Sequence, residues 1–282
     1  MHLREGKGFW GKEITCVAEF LQFFALGIFL GIYGTLAGIG GGFLMVPVLF
    51  LFYHYTPEAT VGTSICVVFL NTLSGSLAYL KQKRIDLKSA WVFALASIPG
   101  SILGSFLLKY IDARLFGLIF GIVLVIGSVL LLLRAKNLPQ PDCSQMSGCR
   151  REITDFEGKT HVYVFSMPLG IIISFFTGFL AGALGIGGGI IHIPAMLFLL
   201  NFPLHIATAT SHFILMISSL VASGTHLAMG DPNLKTVVFL GAGAVLGAPW
   251  GAKLSCRLKS KWIVRLLAFA LLAAGIRMIL LR

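Results

Sequence analysis

Apolar residues in this chain come in long blocks, and polar residues fall between the blocks instead of alternating within them. Apolar runs cover residues 18–36, 43–53, 58–80, 88–109 and 114–134; after a polar stretch they resume at 166–200, 205–228, 234–254 and 260–281. A bilayer core takes about 20 apolar residues per helical crossing. Lipid offers open backbone no water, so the crossings are predicted to be helices. The leading block of each half is interrupted. Glycines 38–42, followed by Pro47, break the first, and glycines 185–189, followed by Pro194, break its later counterpart. Glycine gives a helix no side chain to hold it and proline removes an N–H, so an unbroken helix is not expected there. The run 43–53 is too short to cross unaided. Segments 18–53 and 166–200 therefore read as broken or re-entrant helices, with Pro47 and Pro194 at the hinge or helix break.

The two breaks belong to a duplication. Residues 31–104 return as 178–251 with a constant offset of 147 and no gap. The offset maps Gly38–Gly42 onto Gly185–Gly189, Thr63-Ser64 onto Thr210-Ser211, Ser76 onto Ser223, and Gly100 and Gly104 onto Gly247 and Gly251. Hydrophobic halves interrupted by glycine at the same place point to a transporter whose site lies at the repeat interface. The predicted fold is an all-α polytopic membrane protein of two pseudosymmetric repeats. Each repeat is a broken or re-entrant helix followed by three transmembrane helices. Its divisions are a polar N-terminal lead (1–17), repeat 1 (18–134), a polar linker loop (135–165) and repeat 2 (166–282).

Composition agrees: 57% of the 282 residues are hydrophobic and 12% charged. The formal net charge of +11 does not indicate nucleic acid, because the lysines and arginines cluster in short loops, as the positive-inside rule expects. Lys81, Lys83, Arg84 and Lys88 form one cluster, Arg134, Lys136, Arg150, Arg151 and Lys159 a second, and Lys253, Arg257, Lys259, Lys261 and Arg265 a third. If all three are cytoplasmic, the loop with Asp231 and Lys235 lies outside, although its repeat mate lies inside. Mate loops on opposite sides mean inverted repeats. Arg4, Lys7 and Lys12 near the N-terminus run against this arrangement. The five cysteines, Cys16, Cys66, Cys143, Cys149 and Cys256, match no metal spacing. Cys143 and Cys149 share the linker, where a disulfide would need an oxidising compartment. No cofactor is expected, and the N-terminus lacks a signal-peptide pattern.

The glycine clusters are not nucleotide motifs. A dinucleotide fingerprint needs a third glycine where Phe43 and Ile190 stand, and no P-loop lysine follows either cluster. Glycines at mid-membrane let the backbone unwind. A helix restarting after the break then aims a partially positive N-terminus at a shared cavity. Gly38, Gly40, Gly41, Gly42, Gly185, Gly187, Gly188 and Gly189 are the candidate anion contacts; close helix packing is the plainer reading. Packing is the better account of the GxxxG pairs Gly34/Gly38, Gly100/Gly104, Gly117/Gly121, Gly178/Gly182 and Gly247/Gly251.

Thr63, Ser64, Thr210 and Ser211 recur in register, and Asn71 and Ser218 lie further along the same spans. Such groups can donate to an oxyanion without a buried charge, or bond back to their own helix. His192, His212 and His226 lie in apolar stretches of the second half only, where a proton-coupled step could use them. The plainer reading is a neutral histidine bonded to a carbonyl. Cys66 reads as a small apolar residue. Carboxylates are almost absent from the apolar runs, which counts against a cation pump.

The motif A/L-G-I-G-G-G-x-x-x-x-P, at Ala37–Pro47 and Leu184–Pro194, resembles that of the sulfite exporter TauE/SafE family. So do Ala59–Ser64 and Ala207–Ser211. The resemblance spans all but the lead and the linker. It implies an integral membrane transporter, without cofactor, that moves small sulfur-containing anions such as sulfite or organosulfonates across a prokaryotic inner membrane. Its partners would be the anion, the lipid bilayer and a coupling proton, with a homo-oligomer compatible. A passive small-anion channel and a sulfur-handling membrane enzyme using Cys66 and Cys256 are the competing readings.

Overall fold

A computed structural model describes residues 6–134, 148–156, 158–257 and 260–280. The first repeat comprises α1 (Gly6–Ala37), α2 (Gly42–Pro47) with a π-helical turn (Val48–Phe52), α3 (Pro57–Lys81), α4 (Leu87–Leu107) with a 3-10 turn (Leu108–Tyr110), and α5 (Ala113–Arg134). The second comprises α6 (Met167–Leu184), α7 (Gly189–Phe198), α8 (Leu204–Met229), α9 (Leu234–Arg257) and α10 (Ser260–Leu280). Six of these helices are long and apolar enough to cross a membrane, and α5 and α10 carry further apolar stretches, Ala113–Val129 and Ala268–Leu280. Large apolar side chains such as Leu95, Leu103, Phe176, Val238 and Trp250 face outward. That is the inverse of a water-soluble surface and suits contact with lipid.

Two features depart from the sequence reading. Helix α1 begins at Gly6, inside the stretch read as a polar lead. No proline interrupts residues 6–37, so the helix of the apolar run extends backward. The linker, read as a loop, contains an antiparallel hairpin of β1 (Cys149–Thr154) and β2 (Thr160–Phe165). Exposure alternates residue by residue along β1, a period that produces no apolar run. The cysteine proposed as a partner of Cys149, Cys143, lies outside the described residues.

The hairpin is anchored at Asp86, the N-cap of α4. Asp86 Oδ1 accepts from the Ser89 N–H (3.2 Å), and Oδ2 accepts from Ser89 Oγ (2.6 Å) and Tyr163 Oη (2.8 Å). Arg151 Nε stands 3.7 Å away. Burial, reinforced by the Asp86 carboxylate, pushes the Tyr163 phenol far above its ordinary range, so it stays a donor. Tyr163 and Phe165 also pack on Phe202, between α7 and α8. The hairpin thus ties together the α3–α4 and α7–α8 connections.

The repeats are interleaved rather than set side by side. Helix α1 packs along α9, and α6 along α4. Both seams rest on glycine: a Cβ at Gly247 or Gly251 would strike the carbonyl of Ile28 or Ile32, and one at Gly100 or Gly104 that of Phe175 or Phe179. These are the same contacts displaced by the repeat offset. Helix α5 packs along α10, where Ser128 Oγ donates to the Ala268 carbonyl (2.7 Å). At the centre α3 runs antiparallel to α8, with Thr63 beside Asn233, Thr72 beside Ser219 and Tyr79 beside His212. All of these seams join one repeat to the other.

Seam glycines in direct backbone contact leave no room for a side chain. Gly104→Leu is expected to destabilise the chain by more than the roughly 1–3 kcal/mol of ordinary overpacking, whereas Leu103→Ala, at an outward position, should change little. Thermal unfolding of the two purified variants in detergent checks this.

Candidate functional site

Both breaks form where the sequence puts its glycines. Gly38, Gly40 and Gly41 have φ of 75°, 85° and 84°, and Gly185, Gly187 and Gly188 have 67°, 80° and 73°. A side chain there costs about 1–2 kcal/mol per residue. Gly42 and Gly189 are needed for space instead. A Cβ on Gly42 would strike the Gly185 carbonyl oxygen, and one on Gly189 would come within 2.6 Å of Ile39 Cα. The two tips therefore lie backbone against backbone. Pro47 and Pro194 are not where the chain reverses. Pro194 sits inside α7, and Pro47 ends α2 where the helix widens into its π turn. Having no N–H, proline cannot close the usual helical bond at that step.

The first tip satisfies part of its own backbone. The N–H of Gly38 donates to Thr35 O (3.0 Å), and those of Ile39 and Gly40 donate to Gly34 O (2.9 and 3.1 Å). Among the described residues, the N–H groups of Gly42 and Phe43, and of Gly189 and Ile190, meet no acceptor, and all four residues are buried. They are the first N–H groups of helices that restart inside the protein, where the helix dipole is positive.

The recurring hydroxyls serve as reciprocal braces between repeats. Ser64 Oγ donates to Gly185 O (2.9 Å), and Ser211 Oγ to Gly38 O (3.4 Å). Thr63 and Thr210 are not brought to the tips. Thr63 Oγ1 accepts from the N–H of Asn233, just before α9, and Thr210 Oγ1 accepts from that of Asp86, just before α4. Helix starts carry unpaired N–H groups that need such acceptors. Thr72 Oγ1 and Ser219 Oγ, equivalent residues, lie 3.4 Å from each other. Since equivalents meet there, this contact marks the pseudo-twofold axis.

Polar chemistry beyond the braces is one-sided. Asn71 Nδ2 donates to Gly40 O (3.0 Å), and Thr35 Oγ1 donates to Asn71 Oδ1 (3.2 Å) while lying 3.4 Å from His212 Nε2. With the Thr35 hydroxyl proton used on Asn71, the His212 Nε2–H must donate to Thr35. His212 Nδ1 is then left bare, and it has no partner. Gly75 makes room for this ring. The second repeat lacks the arrangement: Ser218, the mate of Asn71, bonds back to Leu215 O of its own helix (3.3 Å). His192 sits one turn beyond its break, 3.3 Å from Ser174 Oγ and edge-on to Phe93, with Nδ1 unpartnered. Sequence reasoning missed Thr35. Its repeat mate is Gly182, so a search for recurring hydroxyls could not find it.

The structure thus brings together the two glycine tips, Ser64, Ser211, Asn71 and His212, and leaves Thr63, Thr210, Ser218 and His192 out of that cluster. The gathered groups are donors and dipoles without a carboxylate, which suits a small oxyanion held without a buried cation.

The profile of the family described as sulfite exporter TauE/SafE matches residues 23–278. The chain is 36% identical over 268 residues to the probable membrane transporter protein YunE of Bacillus subtilis, covering 93% of this chain and 97% of that one. It is 28% identical over 270 residues to a probable membrane transporter protein of Methanocaldococcus jannaschii, with coverages of 90% and 93%. No solved structure matches.

Removing a brace leaves a buried carbonyl without its donor. Ser64→Ala is expected to lower stability by about 1–3 kcal/mol, and Ser211→Ala by less, because its bond is longer. Chemical or thermal unfolding of the two variants in the same detergent would order them.

Proposed function

The chain belongs to the sulfite exporter TauE/SafE family, and on that premise we propose that it exports small sulfur-containing anions, such as sulfite or organosulfonates, through a midplane site between the glycine tips. It is a multi-pass integral membrane transporter and not an enzyme. Its membrane is the cytoplasmic membrane of a prokaryote, in keeping with the Bacillus and Methanocaldococcus relatives.

One observation carries the substrate reading. Two helices restart inside the protein after a glycine break, with buried, unpaired N–H groups, at tips that touch one another. A small anion entering as the tips part would meet both positive ends, and Asn71 and His212 would line one wall. The donors now spent on Gly185, Gly38 and Gly40 carbonyls would be released as those contacts open.

Inverted topology is supported by the antiparallel course of α3 and α8, which are repeat equivalents. Gln82 bonds to Ala252 (3.2 Å) and Arg151 stands beside Asp86, which gathers the basic loop 81–88, the linker strand and the end of α9 at one face. Positive-inside bias makes that face cytoplasmic. Because the seams join α1 to α9 and α4 to α6, the bodies that move are these mixed pairs sliding past the central α3 and α8.

Single cysteines introduced at Lys83 and at Asn233 should react with impermeant reagent from opposite sides of the membrane; labelling from the same side would refute the inverted arrangement. The substrate reading is tested by uptake of radiolabelled sulfite into proteoliposomes under an imposed potential or pH gradient. Saturable uptake, competed by sulfoacetate and abolished by Gly40→Leu with Gly187→Leu, is the expected result. Non-saturating flux would indicate a channel, and undiminished transport by the double variant would remove the tips as the site.

A further inference from the structure

We infer that His226 and Asp231 form a proton-binding site that controls the second glycine break. His226 lies in the last turn of α8 and is fully buried. Its Nδ1 is 2.8 Å from Asp231 Oδ2, and its Nε2 is 3.0 Å from the carbonyl oxygen of Gly182. A carbonyl can only accept, so Nε2 carries a proton. The short contact to the carboxylate needs another proton between Nδ1 and Oδ2. Whichever atom that second proton is nearer, the pair holds one proton more than a neutral imidazole beside an ionised carboxylate.

Comparison of the repeats isolates what this proton does. The repeat offset relates His226 to Tyr79, Gly182 to Thr35 and Asp231 to Arg84. Tyr79 Oη donates to the Thr35 carbonyl (2.7 Å), so the same helix-end carbonyl is held in both repeats. A tyrosine keeps that bond at any physiological pH. A histidine keeps it together with the aspartate bond only while doubly protonated. Without the extra proton, a bare ring nitrogen must face either the Asp231 carboxylate or the Gly182 carbonyl, and one contact opens. Gly182 lies three residues before Gly185, where the second break begins. The second tip therefore responds to a proton and the first does not.

The surroundings leave Asp231 as the counter-charge. Helix α6 bears no ionisable side chain, and α4 bears only Lys88 at its far end. Ser101 and Ser105 are the α4 groups against Gly182. Helix α3 contributes Glu58 in its first turn, Cys66 and Tyr79 deeper, and Lys81 in its last turn. The 3-10 turn after α4 adds Lys109 and Tyr110. His192 lies on α7, and His205 and His212 lie toward the other end of α8. Lys235 of α9 is already paired with Glu19 of α1 (2.6 Å). Asp231 is 11% exposed, which gives the proton a way to water at this face.

The site rests on the transporter reading only for its effect on coupling, so two measurements separate the questions. The first is the unfolding temperature of the purified full chain in detergent between about pH 5 and 9. The two contacts held by the extra proton cannot both survive its loss. The wild-type chain should therefore lose roughly 2–4 °C or more across the range relative to His226→Gln. His226→Tyr, which copies the first repeat, should likewise lose the pH dependence. Parallel curves for wild type and both variants would overturn the proton site, whatever the substrate.

The second measurement follows protons with a pH dye trapped in proteoliposomes during anion flux. His226→Gln and Asp231→Asn should uncouple the two, losing proton movement while anion flux persists. Proton movement per anion unchanged from wild type would overturn the coupling role. Failure of the wild-type chain to move any sulfur anion would count against the substrate reading, and the unfolding curves would still decide for or against the proton site.

Discussion

Backbone that leaves the helix inside a membrane must be covered by protein, because lipid cannot bond to it. In this chain each break is covered by the other. The Gly185 carbonyl rests on Gly42 and accepts from Ser64; the Gly38 carbonyl rests near Gly189 and accepts from Ser211. Neither repeat alone could bury its own tip. The constraint reaches outward from there. Tips that cover each other need their supporting helices interleaved, and interleaving requires the glycine seams along α1–α9 and α4–α6. A duplicated sequence therefore folds into one cooperative body, not two units in series.

Within that scaffold the repeats have diverged in chemistry more than in shape. The first repeat surrounds its tip with Thr35 and Asn71, and Tyr79 holds the end of its broken helix. The second replaces these three with Gly182, Ser218 and His226, and gains His192 and His212 where the first has Met45 and Ile65. His212 nonetheless reaches across to Thr35 in the first repeat. The polar wall at the tips is thus assembled from both repeats but lies on one side, as a single small ligand would require. A symmetric pair of walls would offer it two equal positions.

How far the sequence was legible follows from what repeats and what is apolar. Long apolar blocks and glycine clusters made the helices and their breaks readable, because bilayer thickness and the left-handed backbone each demand a distinctive composition. The braces of Ser64 and Ser211 were found as recurring residues, but their acceptors were not, since a carbonyl carries no sequence signal. Thr63 and Thr210 recur just as faithfully yet cap α9 and α4, so recurrence identifies a shared role without saying which role. Thr35 was hidden because its mate is glycine. A proline ring and a glycine turn both interrupt helices, and only geometry separates the widened turn at Pro47 from the left-handed turn at Gly38–Gly41. The hairpin leaves little trace in the sequence, because its short strands lie in a polar linker and form no apolar run.

Interleaving also bears on how a transport cycle could be concerted. Parting the tips must break the Ser64–Gly185 and Ser211–Gly38 bonds in the same event, because each spans the same contact from opposite sides. Thr63 and Thr210 extend the linkage to both ends of the bundle, where each holds the first turn of a helix belonging to the other repeat. A displacement of α3 at one end is then felt at the start of α9, and one of α8 at the start of α4. Opening on one face and closing on the other would follow from the bonding pattern itself, without a separate chain of signalling residues. The cost of breaking those buried bonds has to be met by what enters. On the proposed reading, a small anion pairing with the open N–H groups of α2 and α7 would supply interactions of the right kind and in the right place.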